Sequence, residues 1–588
     1  MADPAAPAII GATREVDDYL RQFETLRLNR VDYDRKWQLV SDYILPRRDF
    51  SVTQRPNQLR PHRVTSSTAT NSNTRLAALL LAYLVDPTRP FLLPNVKRGL
   101  AMAGRSTDLD AAGLDYLSNL EWSIFDHLML PRAQLMLRLN SMLKEFCAFG
   151  CGVLWTGRRR GFGPYFNSRP VQACWWSENE EGVIDTLYFK MMLPLYRVFA
   201  RWPAAAELQG WKQIAEKQGR TADEMELTSI VIACRPRPGG KGGAVAEAKP
   251  FAYVVIAEDK KAVIETSGYD SFPYSVFRYD PMPGQAYAEG PGCQVLPDVM
   301  VLNHLQQGIE NSASQKAEPA LAVPARMFGK SLDRRPGAIN SYNPAGLGLQ
   351  RADQAILKLD FTGNPTEAIA FRKELINDIE IGYFTDWLRL REAGDMTAEE
   401  VNERRDLRLR GMSSIVANCE QPMSVLGDRS LEALAAEGVL APAPPSIAKA
   451  DVDWEYAGPL AVAQLSGNVR SMLQLLNAWA LTSKADPAAG QTVDLEESLR
   501  VIADGLGTPA SVLRSRAAVA QARAQQAQQQ QDQHQAEIAA KAGQAVGAAG
   551  QGMAAVAGAG QDQGAPPPPT AGGPPAPFAP ASPFAQAA

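Results

Sequence analysis

Along the first quarter of the chain, apolar residues recur every three or four positions. Residues 13–45 show this spacing, and the Leu-Pro pair at 45–46 ends it. The same spacing predicts further helices over 68–85, 108–130 and 132–149. The sequence therefore predicts a first quarter that is mostly helical.

Between residues 150 and 280 the pattern changes to short runs of β-branched and aromatic residues. The runs are "GVLWTG", "GVIDTLYFKM", "TSIVIACRP", "FAYVVIAED", "KAVIETSG" and "FPYSVFRYD". The glycine-rich "GGKGG" at 239–243 lies between two of them and is typical of a hairpin loop. This region is predicted to form a mostly antiparallel sheet.

Two further helical patterns enclose a stretch that is rich in proline and glycine. The apolar face of the first, over 295–317, consists of Val299, Leu302, Leu305 and Ile309. That of the second, over 366–390, consists of Phe371, Leu375, Ile379 and Trp387. Residues 318–365 between them contain only short strand-like pieces. The pattern predicts two helices that flank a compact insertion.

A capping box follows the second helix in "TAEE". The Thr397 hydroxyl can accept a hydrogen bond from the backbone N–H of Glu400, and the Glu400 carboxylate can reach back to the backbone of Thr397. This signature predicts that a long helix begins at Thr397.

The end of the chain has a different composition. Residues 515–564 are dominated by Ala, Gln and Gly without an aromatic residue, and residues 565–588 by Pro and Ala. Such segments cannot bury enough apolar surface to offset the entropy cost of ordering. We expect the Gln-rich part to be helical only in company with other copies, and the last part to be a disordered tail.

Charge and cysteine content narrow the class of protein. The 588 residues contain 60 Lys and Arg against 64 Asp and Glu, a net charge of −4, which argues against a protein that wraps nucleic acid with a positive surface. The six cysteines lack paired spacings and the N-terminus lacks a secretion signal, so we expect a reduced, intracellular protein. The longest apolar run, at 76–85, is about half a bilayer span, and no membrane role is expected.

The chain offers little that resembles catalytic chemistry. "FGKS" at 328–331 has the end of a phosphate-binding loop, but Pro324 stands where its first glycine should be. Cys147 and Cys151 are four residues apart, which would place them on one helical face, but their apolar surroundings favour buried thiols over metal ligands. The four histidines are far apart in sequence, and "GFGPYF" is typical of a turn. We therefore predict no catalytic residue, no metal site and no cofactor.

One basic cluster lies in the insertion between the two helices. It consists of Arg326, Lys330, Arg334 and Arg335, with Asp333 as the one opposing charge. The cluster is either an exposed docking surface or a solvated loop, and the sequence leaves both open.

Several stretches together resemble the head-to-tail connector, or portal, family of short-tailed bacteriophages. They are "WQLVSDYILPRRDF" (37–50), "STATNSNTRLAALLLAYLVDPTRPFLLPN" (67–95), "AYAEGPGCQVLPDVMVLNHL" (286–305), "MTAEEVNERR" (396–405) and "YAGPLAVAQ" (456–464). The resemblance covers about residues 13–510. The chain departs from the commoner family pattern at Ala288 and Glu289, which affects only the local loop.

The resemblance implies an α+β portal-type subunit, with a helical and antiparallel β wing, a two-helix stem, a small clip insertion and a helical crown. The implied divisions are the wing (1–294), stem helix 1 (295–317), the clip (318–365), stem helix 2 (366–390), a tunnel loop (391–396), a long helix joining wing and crown (397–439), the crown (440–510), a Gln/Ala-rich segment able to form a helical barrel (511–564) and the disordered tail (565–588).

The tunnel loop is the implied contact with DNA. The residues assigned to it and its approach are Arg389, Arg391, Glu392, Gly394 and Asp395. Arg389 and Arg391 have two alternative roles, either neutralising the carbonyls at the end of the second stem helix or making transient phosphate contacts in the channel. The clip residues Arg326, Lys330, Arg334 and Arg335 would form the docking surface.

The resemblance also implies binding partners and a location in the virion. We expect a homo-oligomeric ring of twelve subunits at one capsid vertex, assembled in the host cytoplasm, through which double-stranded DNA passes during packaging and ejection. Its expected partners are the terminase large subunit, a tail adaptor, and the capsid and scaffold proteins. The alternatives are a packaging ATPase or nuclease of the same machine, and an internal scaffold or ejection protein.

Overall fold

The computed structural model divides the chain into two compact units, residues 1–513 and 514–588. The residues that it describes are 13–46, 64–96, 110–208, 211–215, 226–237, 249–324, 333, 335, 338–342, 357–359, 365–385, 398–447, 452–458, 472–479, 495–506, 519, 521–526, 528–533 and 535.

Five helices form most of the first quarter, as the sequence predicts. They are α1 (Thr13–Asn29), α2 (Val31–Tyr43), α3 (Thr68–Leu84), α4 (Ala111–Met129) and α5 (Leu135–Phe149). The continuous pattern over 13–45 forms two helices, and Arg30 between them is buried. Its guanidinium donates to the carbonyls of Val171 (3.1 Å), Gln172 (2.8 Å) and Cys174. This side chain therefore ties the α1–α2 turn to the sheet region.

The predicted antiparallel sheet region is confirmed, and it contains two sheets. Its strands are β2 (Cys151–Arg159), β3 (Gly163–Arg169), β4 (Cys174–Glu178), β5 (Ile184–Pro194), β6 (Leu227–Pro236), β7 (Phe251–Ala257), β8 (Ala262–Tyr269) and β9 (Tyr274–Arg278). One sheet has the order β3-β2-β9 and the other β4-β5-β6-β7-β8, with every neighbouring pair antiparallel. A short helix, α6 (Leu195–Arg201), follows β5.

The hairpin between β6 and β7 agrees with the prediction from "GGKGG". The two strands pair from Ile230–Ala257 to Pro236–Phe251. The five glycine-rich residues themselves lie outside the described part of the chain.

One contiguous core joins the helices to both sheets. Helix α5 supplies a large part of it and ends at Gly150, whose φ of +87° suits glycine. The prediction that Cys147 and Cys151 share a helical face is therefore wrong, because Cys151 begins strand β2. Both thiols are buried, as predicted, and burial raises the pKa of Cys151 to about 12. Among the described residues no cluster of three metal-ligating side chains is present.

The second half of unit 1 contains the predicted pair of helices and the long helix. Its elements are α7 (Leu296–Ala317), β10 (Ala320–Pro324), β11 (Ile339–Tyr342), β12 (Leu357–Leu359), α8 (Pro365–Gly382), α9 (Ala398–Ala436), β13 (Asp453–Tyr456) and α10 (Leu495–Leu506). Residues 472–479 are also helical. Thr397, the predicted cap of α9, lies outside the described residues, and the helix begins at the residue after it.

Strand β13 lies in a region that the sequence predicts to be helical. It pairs antiparallel with β1 (Leu92–Asn95), so that Leu92 lies opposite Tyr456. The indole of Trp454 donates to Asp428 Oδ1 on α9 (2.7 Å), and the Tyr456 hydroxyl donates to the carbonyl of Leu84 (2.5 Å). A short strand with aromatic side chains that are partly buried replaces the expected helix here.

In unit 2 the described residues, from 519 to 535 with gaps, are helical. The side chains described at 521–526 and 528–533 are all exposed. The predicted tail, 565–588, lies outside the described residues.

Candidate functional site

Helices α7 and α8 pack on each other and are joined by the small sheet of β10, β11 and β12. We refer to α7 and α8 as the helix pair, and to the three strands as the small sheet. The bounds of α7 agree with the predicted 295–317 to within one residue. These elements are the candidate functional site because each helix has one end in the core and carries large apolar side chains that remain exposed.

Only one end of each helix is embedded in the core. In α7, Val299 and Leu302 are buried, whereas none of the side chains from His304 to Ala317 is buried. In α8, Leu375 and Ile379 are buried, whereas no side chain from 366 to 374 is. Among the described residues, the other end of each helix therefore contributes no buried side chain to the core.

Large apolar side chains on the helix pair remain exposed. They are Met300 (37 % exposed), Val301 (47 %), Ile369 (39 %), Phe371 (47 %) and Ile381 (51 %). Phe371 belongs to the predicted apolar face of α8, yet it has no place in the core of the subunit. Burying such a side chain fully is worth about 1.5–3 kcal/mol, so an unpartnered helix pair forgoes a substantial stabilisation.

Asn303 fixes the embedded end of α7. It is 5 % exposed, and its Oδ1 accepts from the backbone N–H groups of Thr65 (2.8 Å) and Ser66 (3.0 Å), just before α3. The Thr65 hydroxyl donates to the carbonyl of Asn303 (2.9 Å), and Asn303 Nδ2 donates to the carbonyl of Val299 (2.7 Å). All the polar atoms of this side chain are thus satisfied, which is required of a buried amide.

The sequence pattern does not predict Asn303 as an anchor. The signal available in "LPDVMVLNHLQQG" was a single amide on an otherwise apolar helix face. Its partners, Thr65 and Ser66, are more than 230 residues away in sequence and give no local indication of the contact.

The embedded end of α8 closes with a Schellman motif. The N–H of Thr385 donates to the carbonyl of Glu380 (2.8 Å), and that of Phe384 donates to the carbonyl of Ile381 (2.9 Å). Phe384 takes φ of +54°, the left-handed conformation that this motif requires. The Thr385 hydroxyl lies 3.4 Å from the Ser72 hydroxyl on α3. Helix α3 and the two residues just before it therefore contact the embedded ends of both helices.

The Schellman motif corrects the predicted end of the second helix. Helix α8 ends at Gly382, eight residues before the predicted 390, because the chain turns at Phe384. Backbone N–H groups already satisfy carbonyls of its last turn. Arg389 and Arg391 lie beyond this helix end, outside the described residues, so both of their alternative roles stay predictions.

The predicted tunnel-loop residues Arg389, Arg391, Glu392, Gly394 and Asp395 all lie in 386–397, outside the described residues. Their placement therefore stays a prediction. The described chain leaves the core at Thr385 and resumes at Ala398, the first residue of α9.

The small sheet occupies the predicted insertion. Strand β10 pairs parallel with β11 and antiparallel with β12. Of the predicted basic cluster, Arg326, Lys330 and Arg334 lie outside the described residues, and Arg335 is exposed. The Arg335 Nε lies 2.8 Å from Asp333 Oδ2, and hydrogen bonds from this guanidinium and from the Arg335 backbone lower the pKa of Asp333. The opposing charge noted in the sequence is thus paired with Arg335.

Helix α9, which begins at Ala398, packs on the core. Its Asn418 donates to the carbonyl of Tyr279 (2.8 Å), and Arg429 forms a buried ion pair with Glu432. Burial alone would raise the pKa of Glu432, but hydrogen bonds from Arg429 and the charge of that guanidinium outweigh it, and the pKa is lowered. Burial raises the pKa of the neighbouring Asp428.

None of the helices that the structure describes is both long and apolar enough to cross a bilayer.

Comparison with known proteins gives a consistent family assignment. A family model described as "Bacteriophage head to tail connecting protein" matches residues 16–513. A "Probable portal protein" of Bordetella phage BPP-1 is 22 % identical over 502 residues, which cover 83 % of this chain and 87 % of that protein. The "Portal protein" of Salmonella phage epsilon15 is 20 % identical over 515 residues, which cover 85 % and 89 % respectively.

Proposed function

The chain belongs to the family of bacteriophage head to tail connecting proteins, and from this premise we propose how its parts serve as a phage portal. Its function is that of a portal, and the family is structural rather than enzymatic. We propose that the subunits form a closed ring of twelve at one capsid vertex, and that DNA passes through the central channel during packaging and ejection.

The exposed apolar side chains of the helix pair are the observation that supports a ring most directly. Met300 and Val301 on α7, and Phe371 and Ile381 on α8, are between 37 % and 51 % exposed in the single chain. A neighbouring copy on each side would remove these side chains from water, and a closed ring provides two neighbours to every subunit. In this proposal the helix pair is the stem and the small sheet is the clip.

The remaining parts follow from the chain order. Helices α1–α5 and the two larger sheets (1–294) would form the wing, α9 would join wing and crown (440–510), and 511–564 would form a barrel of helices. The clip, with Arg326, Lys330, Arg334 and Arg335, would dock the terminase large subunit during packaging and a tail adaptor afterwards. The capsid and scaffold proteins would surround the ring as it assembles in the host cytoplasm.

The assembly is tested on the purified protein. Native mass measurement should give a species near twelve subunits, and negative-stain images should show a ring with a central hole. A stable monomer at micromolar concentration, across several salt concentrations, would overturn the proposal.

We propose that Arg389 or Arg391 makes brief phosphate contacts in the channel. Such contacts between exposed charges are weak at physiological salt, so they would guide DNA without retaining it. Replacing both with Ala should leave rings of normal size but lower the amount of DNA packaged in a motor assay. Normal packaging by this double variant would refute the channel role.

The alternative of a packaging ATPase is tested separately. Because Pro324 occupies the position of the first phosphate-loop glycine, purified rings should not hydrolyse ATP. Turnover that disappears in Lys330→Ala would favour the motor over the portal.

A further inference from the structure

An exposed surface of arginines and apolar side chains lies far in sequence from the helix pair. It is formed by the loop between α4 and α5 with the first turn of α5, and by the turn between β2 and β3. The two segments are in contact, because the N–H of Phe166 donates to the carbonyl of Ala133 (3.0 Å) and Arg132 stacks on the ring of Phe162 (4.8 Å). We call this surface the arginine patch; its residues are Leu130, Arg132, Leu137, Arg138, Arg159 and Phe162.

The three arginines of the patch are held by neutral groups. Arg132 stacks on Phe162, Arg159 stacks on Tyr165 at 5.0 Å, and Arg138 donates to Gln134 Oε1 at 3.0 and 3.1 Å. Within the described residues, none of the three has a carboxylate within 4.0 Å. Stacking and amide contacts fix a guanidinium while leaving its positive charge uncompensated.

Exposed arginines of the first two helices contrast with those of the patch. Arg21, Arg27 and Arg35 each lie within 4.0 Å of a carboxylate three residues earlier on the same helix. Their charges are locally balanced and offer little to a partner. The three arginines of the patch are not paired in this way, and the nearby Glu437 carboxylate, which accepts from the N–H of Gly161 (2.7 Å), pairs with Arg158 instead.

The exposed apolar side chains of the patch indicate which class of partner it would bind. Leu130 is 43 % exposed, Leu137 63 % and Phe162 44 %. A DNA backbone would use the guanidinium groups but would leave these side chains unused, whereas protein interfaces combine arginine with aromatic and aliphatic side chains. The patch therefore fits a protein surface that carries carboxylates and apolar side chains together.

Helix α10 of this chain has that composition. Its Leu495 (42 % exposed) and Leu499 (57 %) are exposed one turn apart, while Ser498 and Ile502 are buried. Over Leu495–Leu506 the sequence has three carboxylates, Glu496, Glu497 and Asp504, against the one cation Arg500, a net charge of −2. Within one subunit the exposed leucines of α10 and of the patch are not covered by each other.

A closed ring requires two different, complementary surfaces on every subunit, because each contact joins one face of a copy to the opposite face of the next. The arginine patch carries positive charge and α10 carries net negative charge, and both have exposed apolar side chains. The two surfaces are therefore complementary. We propose that α10 of one subunit docks on the arginine patch of its neighbour. This inference rests on the proposed ring and assigns it a contact outside the helix pair.

Charge reversal tests the contact. The variant Arg132→Glu/Arg138→Glu/Arg159→Glu should shift the ring midpoint to at least tenfold higher protein concentration in sedimentation. Adding Glu496→Arg/Glu497→Arg to the same chain should recover most of that loss. The matched control is Arg21→Glu/Arg27→Glu/Arg35→Glu, which changes the net charge equally and should assemble as the parent does.

Cross-linking gives a second measurement that does not disturb the charges. All six native cysteines are buried, so a cysteine introduced at the surface is the reactive one. Leu137→Cys protein mixed with Leu499→Cys protein, then treated with a short bismaleimide, should give dimers that link the two variants. Leu28→Cys, which replaces an equally exposed leucine on α1, should not link to Leu499→Cys.

The outcomes separate this inference from the proposed function. Wild-type protein that remains monomeric would overturn the ring itself. Rings of the arginine variant with an unchanged midpoint, together with no Leu137–Leu499 cross-link, would overturn the docking contact and leave the ring standing. Unchanged rings that lose retention of a 30-base-pair DNA duplex would assign the patch to nucleic acid instead, and would equally overturn the contact.

Discussion

The core of unit 1 and the helix pair differ in how far they bury their apolar side chains. In the core, Phe146, Phe149 and Trp37 are fully buried, and the indole of Trp37 also donates to the carbonyl of Phe149 (3.0 Å). On the helix pair, Phe371 and Ile381 are about half exposed. The first region is complete within one chain, whereas the second has a surface suited to a neighbour. Mutations in the two regions should therefore affect different equilibria.

The largest effect is expected in the core. Phe149→Ala removes a fully buried ring and should lower the free energy of unfolding by about 3–5 kcal/mol, since a cavity remains. Phe371→Ala should change the unfolding of the subunit by less than about 0.5 kcal/mol, because the ring is already exposed. Denaturant unfolding of dilute protein measures both.

In an assembly assay the order of the two effects should be reversed, so that Phe371→Ala has the larger effect. Phe371→Ala should raise the protein concentration at which rings form, since in our proposal this side chain is buried between copies. Equal losses of subunit stability in both variants would show that the contrast between core and helix pair is not real.

The anchor of α7 should give the next largest effect. Asn303→Leu leaves the backbone N–H groups of Thr65 and Ser66 without their acceptor, and we expect a loss of about 1–3 kcal/mol. His304→Leu, at the next and exposed position of the same helix, serves as the control and should be near neutral. Hydrogen exchange at Thr65 and Ser66 would report the local opening, and unchanged protection in Asn303→Leu would contradict the anchoring role.

Two carboxyl groups one turn apart on α9 should make the free energy of unfolding change with pH in opposite directions, and both changes should be smaller than the effects above. Burial raises the folded pKa of Asp428 above its unfolded value of about 3.9. The folded state then binds more protons, so this group makes stability fall as pH rises from about 4 upward. The folded pKa of Glu432 is lowered below its unfolded value of about 4.3, so its contribution is present above that pH and is lost as pH falls through the folded pKa.

Denaturant midpoints between pH 3 and 6.5 separate the two carboxyls. Asp428→Asn should remove the falling component, and the amide oxygen can still accept from Trp454. Glu432→Gln should remove the rising component. Identical pH profiles for the two variants would show that the two environments do not differ.

The smallest effect is expected at the end of the chain. Truncation after Ala565 removes a Pro- and Ala-rich segment that offers little to a core, so ring formation should be unchanged. Loss of rings on removing this segment alone would show that it takes part in assembly.

Local patterns predicted most of the elements. The helices of the first quarter, the antiparallel strands, and α7 follow from apolar spacing because their buried faces repeat regularly. The predicted end of α8, at 390, is too late because the apolar spacing continues past Phe384. The left-handed turn that ends the helix is made by Phe384, whereas the sequence signal for such a turn is a glycine. Strand β13 was missed because it is only four residues long and depends on a partner strand far away in sequence.

The candidate site was less predictable than the fold. The sequence located the helix pair, but the contacts of Asn303 and the stacking of Arg132 on Phe162 depend on tertiary neighbours. The arginine patch has no motif, since its members come from two segments that meet through the hydrogen bond from the N–H of Phe166 to the carbonyl of Ala133. Of the predicted channel and clip residues, only Arg335 lies in the described chain.

The pairing of β1 with β13 has a consequence for the timing of synthesis. Leu92 lies opposite Tyr456, so 456 − 92 = 364 residues must be added before this contact can form. At roughly 5–20 residues per second, a ribosome needs roughly 20 to 70 seconds for that length. The helix pair emerges within this interval, while strand β13 has not yet been synthesised. A nascent chain would therefore expose the apolar side chains of the helix pair before β13 has been synthesised. It could join other copies in its fully folded form only after β13 has paired with β1.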